Sequence, residues 1–312
     1  MDQLATGLES GLFSSLDLTT VYIKRIKEVD STLHTVLEIN PDALIIAANL
    51  DAERANGIVR SALHGIPILI KDIIATNDSM SNSAGSYSLK GAKVPRDATV
   101  VEKLRAAGVI ILGKSNLSQW GNSRSSNSSN GWSSVGGQVT GAYYPNMDPG
   151  GSSLGSAVAS SLGLAFASPG TETLGSILSP SSQNNVVGIK PTVGLTSRSL
   201  VVPISEHQDT VGPIARSVSD AAYLLSIIAG KDKSDNYTSS QPWEIPPDYT
   251  LALNLSSLSG ARIGIPRNAI TPDNTSQPIL DAFETAIEVL RNAGALIVDY
   301  ANYSASPEQL FE

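Results

Sequence analysis

Two serine-bearing turns and one lysine carry the reactive chemistry of this sequence. "GGSSLGSA" at 150–157 and "GTETLGSI" at 170–177 each set a serine behind glycine, and Ser152 and Ser176 stand 24 residues apart. A serine hydroxyl becomes a useful nucleophile when a neighbouring base removes its proton. The chain has no cysteine and three histidines, His34, His64 and His207. No two of them have the i, i+4 spacing of a helical metal site, and all three read as structural. The base therefore falls to a lysine, and Lys71, at the end of "GIPILIK", is the candidate. Lysine serves as a base only when neutral, which needs a pKa far below its usual value of about 10.4. The apolar run ahead of Lys71 supplies desolvation that disfavours the ammonium. Asp72 comes next in sequence, but the alternation of a strand sends it to the opposite face.

Two familiar patterns compete with this reading. "GVIILGKS" at 108–115 satisfies G-x-x-x-x-G-K-[ST], yet a phosphate loop needs a strand before a Gly-rich turn and a helix after it. Here a helix is expected before the motif, and its own β-branched residues make the strand. "GSSLG" at 151–155 matches a G-x-S-x-G nucleophile elbow centred on Ser153. That motif requires a strand running into the serine, and the preceding "AYYPNMDPG" is rich in turns. A Ser153–His207 pair is the alternative it would supply.

The elements that must position these groups follow from hydrophobic period and capping. Leu18, Tyr22, Ile26 and Val29 share one helical face after Ser15, and a second helix is expected from Asn40-Pro41 to Gly57. Residues 66–70 read as a buried strand, Asp97 as the cap of a helix ending at Gly108, and "VIIL" as another buried strand. Short joints between helix and strand give an α/β core. Residues 114–156 form a Ser-, Gly- and Asn-rich stretch whose rings, Trp120 and Trp132, argue for an ordered functional loop in which both are buried. "SVSDAAYLLSIIAG" is a capped helix, and the polar, proline-bearing residues 231–250 read as a linker. A strand "RIGIP", a helix presenting Leu280, Phe283, Ile287 and Leu290, and a strand "ALIVDY" complete the pattern.

With 312 residues, 41% of them hydrophobic, the chain has material for a sizeable core. Its net charge of −8 and the lack of any Lys/Arg run speak against a nucleic-acid or anionic-membrane partner. No basic n-region, apolar h-region or eighteen-residue apolar segment is present, so the expectation is a soluble, cytoplasmic protein without a signal peptide.

The ordered segments resemble one family, the amidase signature hydrolases. "GIPILIKD" resembles its lysine strand, "GGSSLGS" its first serine loop and "GTETLGSI" its nucleophile turn, with "VVGIKPTVGLTSRS" and "DTVGPIARSVSDAA" following in order. The resemblance covers about residues 5–230. It implies an α/β fold with a mixed β-sheet core flanked by helices, incomplete at the C-terminus. It further implies a Ser-Ser-Lys triad in which Ser176 attacks, Ser152 relays the proton from a cis peptide, and Lys71 is the final base. The implied oxyanion donors are the amides of Thr173, Leu174 and Gly175, joined by that of Ser176, with Ser153 and Glu172 in support. The implied reaction is hydrolysis of a carboxamide C–N bond through an acyl-enzyme, on a small amide substrate and without metal or organic cofactor. The alternatives are a truncated, weakened remnant and the glutamine-hydrolysing component of an amidotransferase. The chain is expected to be a single domain over 1–312, with helices in 1–60, a catalytic core in 61–230, and a linker and partial C-terminal region in 231–312.

Four positions depart from the family pattern. Glu172 stands for Asp, Leu154 and Leu174 for Gly, and Leu178 for Arg. Leu174 is expected to be strained, because its position favours φ > 0. Ser123 and Arg124 are expected beside the cleft.

Overall fold

A computed structural model describes residues 1–125, 127–270 and 275–304. The chain divides into two compact units, Met1–Thr250 and Leu251–Glu312.

The first unit opens with α1 (Asp2–Glu9) and α2 (Ser15–Leu33). Ser14 and Asp17 make a reciprocal capping box at the start of α2, and His34 ends it in the left-handed region. After β1 (Val36–Ile39) comes α3 (Ala43–Ala55), later in its start than the sequence suggests. β2 (Pro67–Lys71) is buried at every position, as is β3 (Ile110–Ser115), which follows α4 (Thr99–Ala106). Ala98, not Asp97, is the N-cap of α4, because Asp97 is held by Arg105 at 2.9 Å.

β3 lies centrally in a mixed three-stranded sheet, antiparallel to β1 and parallel to β2. Ile68 and Ile70 enter one apolar cluster with Ile111, Leu104 and the helix α7 residues described below, while Leu69 enters a second with Ile110, Leu112, Tyr22, Ile26 and Ala159. Burial on both faces explains why "IPILI" shows no polar alternation. It also makes Lys71 the residue that leaves an apolar strand on the face of Leu69.

A short hairpin, β4 (Trp132–Ser133) and β5 (Gly137–Gln138), lies in the Ser- and Asn-rich stretch. Trp120 is partly buried against the larger apolar cluster, but Trp132 is 45% exposed, so burial of its ring does not explain the order of this stretch. Next come α5 (Leu154–Ser161) and β6 (Gly170–Glu172). Between them, "LAFA" is buried and runs beside β2 without becoming a regular strand: Leu69 N donates to Ala167 O and Lys71 N to Pro169 O, both at 3.2 Å. The unit continues through α6 (Leu178–Gln183), β7 (Val187–Gly188), β8 (Thr210–Gly212), β9 (Ile214–Ala215) and α7 (Val218–Ile228). β6 pairs antiparallel with β8, and β7 with β9. Ser217 caps α7, whose Ala221, Leu224, Leu225 and Ile228 join the larger cluster.

Residues 231–250 are not a free linker. Asp232 accepts hydrogen bonds from Thr99 and Ser197, Asp235 pairs with Arg198, and Gln241 donates to Gly194 O at 2.7 Å. Polar composition here serves buried polar partners. The division falls after Thr250 instead.

In the second unit, β10 (Arg262–Ile265) and β11 (Leu296–Asp299) pair in parallel through the crossover helix α8 (Gln277–Asn292). Of the four apolar residues expected on the inner face of α8, Ile287 is buried.

Candidate active site

Lys71 is fully buried, and its Nζ meets four oxygen atoms. Ser152 Oγ lies 2.7 Å away, Thr171 Oγ1 2.8 Å, Ser153 Oγ 2.9 Å and Thr171 O 3.2 Å. β2 delivers the lysine, the turn into α5 delivers both serines, and β6 delivers the threonine. Burial pulls the Lys71 pKa down to about 7, against the opposing charges of Glu172 and Asp209. Asp72 faces away as expected: its carboxylate accepts from Ser83 and from Gly85 N at 3.1 Å.

Hydrogen counting separates the two neighbouring serines. Ser153 Oγ donates its single proton to Thr171 O at 3.0 Å and accepts from Thr171 N at 3.2 Å. It can therefore only accept from Lys71. Ser152 Oγ has Lys71 as its hydrogen-bond partner among the described residues, so its proton is free to point at a lone pair of a neutral amine.

Ser176 is brought beside this cluster by backbone contacts. Ser153 N donates to Ser176 O at 3.1 Å, and a Cβ at Gly151 would lie 3.1 Å from both Ser176 Cα and Gly175 O. That crowding is why glycine precedes Ser152. The Ser176 side chain reaches the surface of the site, with the residue 9% exposed, and its hydroxyl is not hydrogen-bonded to Ser152 or Lys71.

Glu172 shapes the nucleophile turn. Its carboxylate accepts from Gly175 N and Ile177 N at 2.7 Å each and from Leu178 N at 2.9 Å. Three backbone donors replace the missing cation at Leu178. Glu172→Ala should lower unfolding free energy by about 3 kcal/mol, since charge-assisted hydrogen bonds are worth roughly 1.5–3 kcal/mol each and water replaces some of them. Urea denaturation measures this, and a loss below 1 kcal/mol, as an order of magnitude, would refute the assigned role.

Three expectations need correction. Gly175 N–H donates to Glu172 and is not free as an oxyanion donor; the amides of Thr173, Leu174 and Ser176 have no backbone or side-chain acceptor among the described residues. The left-handed residue of the turn is Gly175, at φ +75°, while Leu174 has an ordinary φ, so its side chain causes no backbone strain. Leu174 points outward, 71% exposed. Finally, no peptide bond among the described residues is cis, and the bond before Ser152 is trans. The Ser152 hydroxyl reaches Lys71 in this isomer, which for a non-proline residue is the lower in energy by about 2.5–4 kcal/mol.

The other candidates lie apart. His207 is exposed and hydrogen-bonded to Tyr237, so Ser153 has no histidine partner. His64 is buried against Leu50 O. Ser123 Oγ donates to Trp120 O and Arg124 lies over the Trp120 ring, neither in contact with the Lys71 cluster. Lys114, the lysine of the phosphate-loop pattern, is inside the strand β3 and fully buried; it donates to Ile74 O at 2.7 Å and Asn82 Oδ1 at 3.1 Å. Sequence reasoning missed Thr171 as a lysine partner. Its signal was positional, because Thr171 and Thr173 flank the inward Glu172 with the alternation of a strand.

The amidase family model matches residues 17–309. The chain belongs to the amidase family. A putative amidase of Arthroderma benhamiae is 54% identical over 98% of the chain, which spans 55% of that relative. The native peptide amidase of Stenotrophomonas maltophilia superposes with a TM-score of 0.89 at 46% identity, over 95% of this chain and 60% of that one. One component of the glutamyl-tRNA(Gln) amidotransferase of Chloroflexus aurantiacus is 39% identical over 94% of the chain and 58% of its own length. The chain thus spans little more than half of the curated relatives it matches. The mixed α/β architecture expected for the family is the one observed. Among the described residues, no helix is long and apolar enough to cross a membrane.

Proposed function

We propose that this amidase-family chain carries the catalytic centre of a hydrolase that cleaves the C–N bond of a carboxamide through an acyl-enzyme. One observation carries the proposal: a fully buried lysine, its pKa drawn down to about 7, lies 2.7 Å from the hydroxyl of Ser152. At neutral pH a large share of Lys71 is the free amine. Ser152 passes its proton to that amine and takes the one from Ser176, while Ser176 Oγ forms a bond to the amide carbon. The amides of Thr173, Leu174 and Ser176 receive the charge that develops on the carbonyl oxygen. Collapse of this adduct breaks the C–N bond, and the proton held by Lys71 and Ser152 leaves with ammonia or an amine. Water, deprotonated by the same relay, then releases the acid and restores Ser176.

Ser153 is assigned a supporting role, fixing Lys71 and Thr171 rather than reacting. A fluorophosphonate probe followed by peptide mapping tests the assignment. The adduct is expected on Ser176. An adduct on Ser153 would replace this scheme with the nucleophile-elbow reading.

A further inference from the structure

On the other side of β6 from Glu172 lies a cavity of about 260 Å³. Thr171 and Thr173 form one wall, and Thr171 Oγ1 is the atom 2.8 Å from Lys71 Nζ. Thr173 supplies one of the proposed oxyanion amides. The cavity therefore borders the proposed reaction centre at Thr171 and Thr173.

The remaining walls are apolar and acidic, with hydroxyl groups from Ser199, Thr210 and Ser234. Ile73, Val202, Pro203, Ile204 and Val211 supply hydrocarbon. Arg198 is the lining cation among the described residues, and each of its three side-chain nitrogens donates within the protein: Nε and Nη2 to Asp235 at 2.9 and 2.8 Å, and Nη1 to Glu206 O. Its charge is balanced by Asp235. Asp209 and Glu206 also line the cavity; the Glu206 carboxylate is largely exposed and lies 3.4 Å from His207 Nε2, whereas Asp209 has no ion-pair partner among the described residues. Asp209 also pins the wall in place, accepting from Thr173 Oγ1 at 2.5 Å and from Ile204 N and Ser205 N at 2.7 and 3.0 Å.

From this arrangement we infer that the cavity is the acyl subsite and that it selects a neutral aliphatic acyl chain over one ending in a carboxylate. The inference rests on the proposed hydrolase reading for its location, and on the charge balance of the walls for its selectivity. A terminal carboxylate would lose its water beside Asp209 and find no unpaired cation among the lining residues to offset the loss. An alkyl chain loses only contact with water there. The volume, just under the roughly 300 Å³ at which drug-sized sites begin, suits one such chain.

Ligand-observed NMR with hexanamide, adipamate and acetamide tests the subsite without requiring turnover. Hexanamide should bind at least about tenfold tighter than adipamate, which has the same chain length but a charged end. Val202→Phe, which fills the cavity, should weaken hexanamide about tenfold and leave acetamide unchanged, in the range by which pocket shape discriminates alkyl groups. Val202→Ala, which keeps the fold while removing contact, should weaken hexanamide severalfold; thermal melts verify that each variant is folded. Equal or tighter binding of adipamate, undetectable binding of hexanamide, or indifference of hexanamide to both substitutions overturns the inference. The fluorophosphonate adduct reports separately on the hydrolase reading. Labelling at Ser176 without the hexanamide preference defeats the subsite alone, and the preference without labelling defeats the hydrolase alone.

Discussion

Ser176→Ala is expected to lower amide hydrolysis by at least about 10⁴-fold, the scale on which removal of a serine nucleophile acts. The alanine lacks the oxygen that forms the acyl bond, and no other hydroxyl at the site can take its place. Ser152 is directed at Lys71, and Ser153 spends its proton on Thr171 O. The fold should be unaffected, because the Ser176 side chain makes no hydrogen bond to Ser152 or Lys71 while its carbonyl still accepts from Ser153 N. Ammonia release from a primary amide, compared at equal concentrations of folded protein, measures the effect. Retention of more than about a tenth of the activity would place the nucleophile elsewhere.

The second large effect belongs to Lys71→Met, and it has opposite signs for activity and stability. Removing a positioned base should cost about 10²–10⁴-fold in kcat. The parent enzyme should show an acid limb in its rate near pH 7, falling as the amine becomes protonated, and the variant should lack it. Stability behaves differently. The folded pKa of about 7 lies below the unfolded value of about 10.4, so between these pH values the unfolded chain binds a proton that the folded one does not. The resulting penalty on folding is full below about pH 7 and disappears as pH rises towards about 10.4. At pH 6 it is on the order of 4 kcal/mol, at about 1.36 kcal/mol per unit of pKa. Methionine, of similar length and without charge, removes it. Lys71→Met should therefore melt higher than the parent at pH 6, with an advantage that shrinks by pH 9. Part of the gain is offset by the lost partners of Ser152, Ser153 and Thr171. A variant that melts lower than the parent at pH 6 and gains nothing relative to it as pH falls would show that Lys71 is not held neutral.

The spacing of Ser152 and Ser176, the apolar approach to Lys71 and the helix faces were all legible in the sequence, because each depends on short-range order. Leu18, Tyr22 and Ile26 recur with the helical period, and five consecutive apolar residues before Lys71 can belong only to an element covered on both sides. The polar stretch 231–250 misled for a related reason: local composition cannot show that Asp232 and Asp235 have partners more than thirty residues away.

What tertiary structure decided was the use made of each polar group. Lys71 meets Ser152 and Thr171 across 81 and 100 residues of chain, and only that closure shows which serine must accept and which can give. The same closure spends the Gly175 amide on Glu172, puts the left-handed turn at Gly175 rather than Leu174, and leaves Arg198 neutralised beside an acidic cavity. Periodicity specifies which side of an element is buried, whereas proton direction and charge balance depend on distances between elements, which the order of residues does not contain.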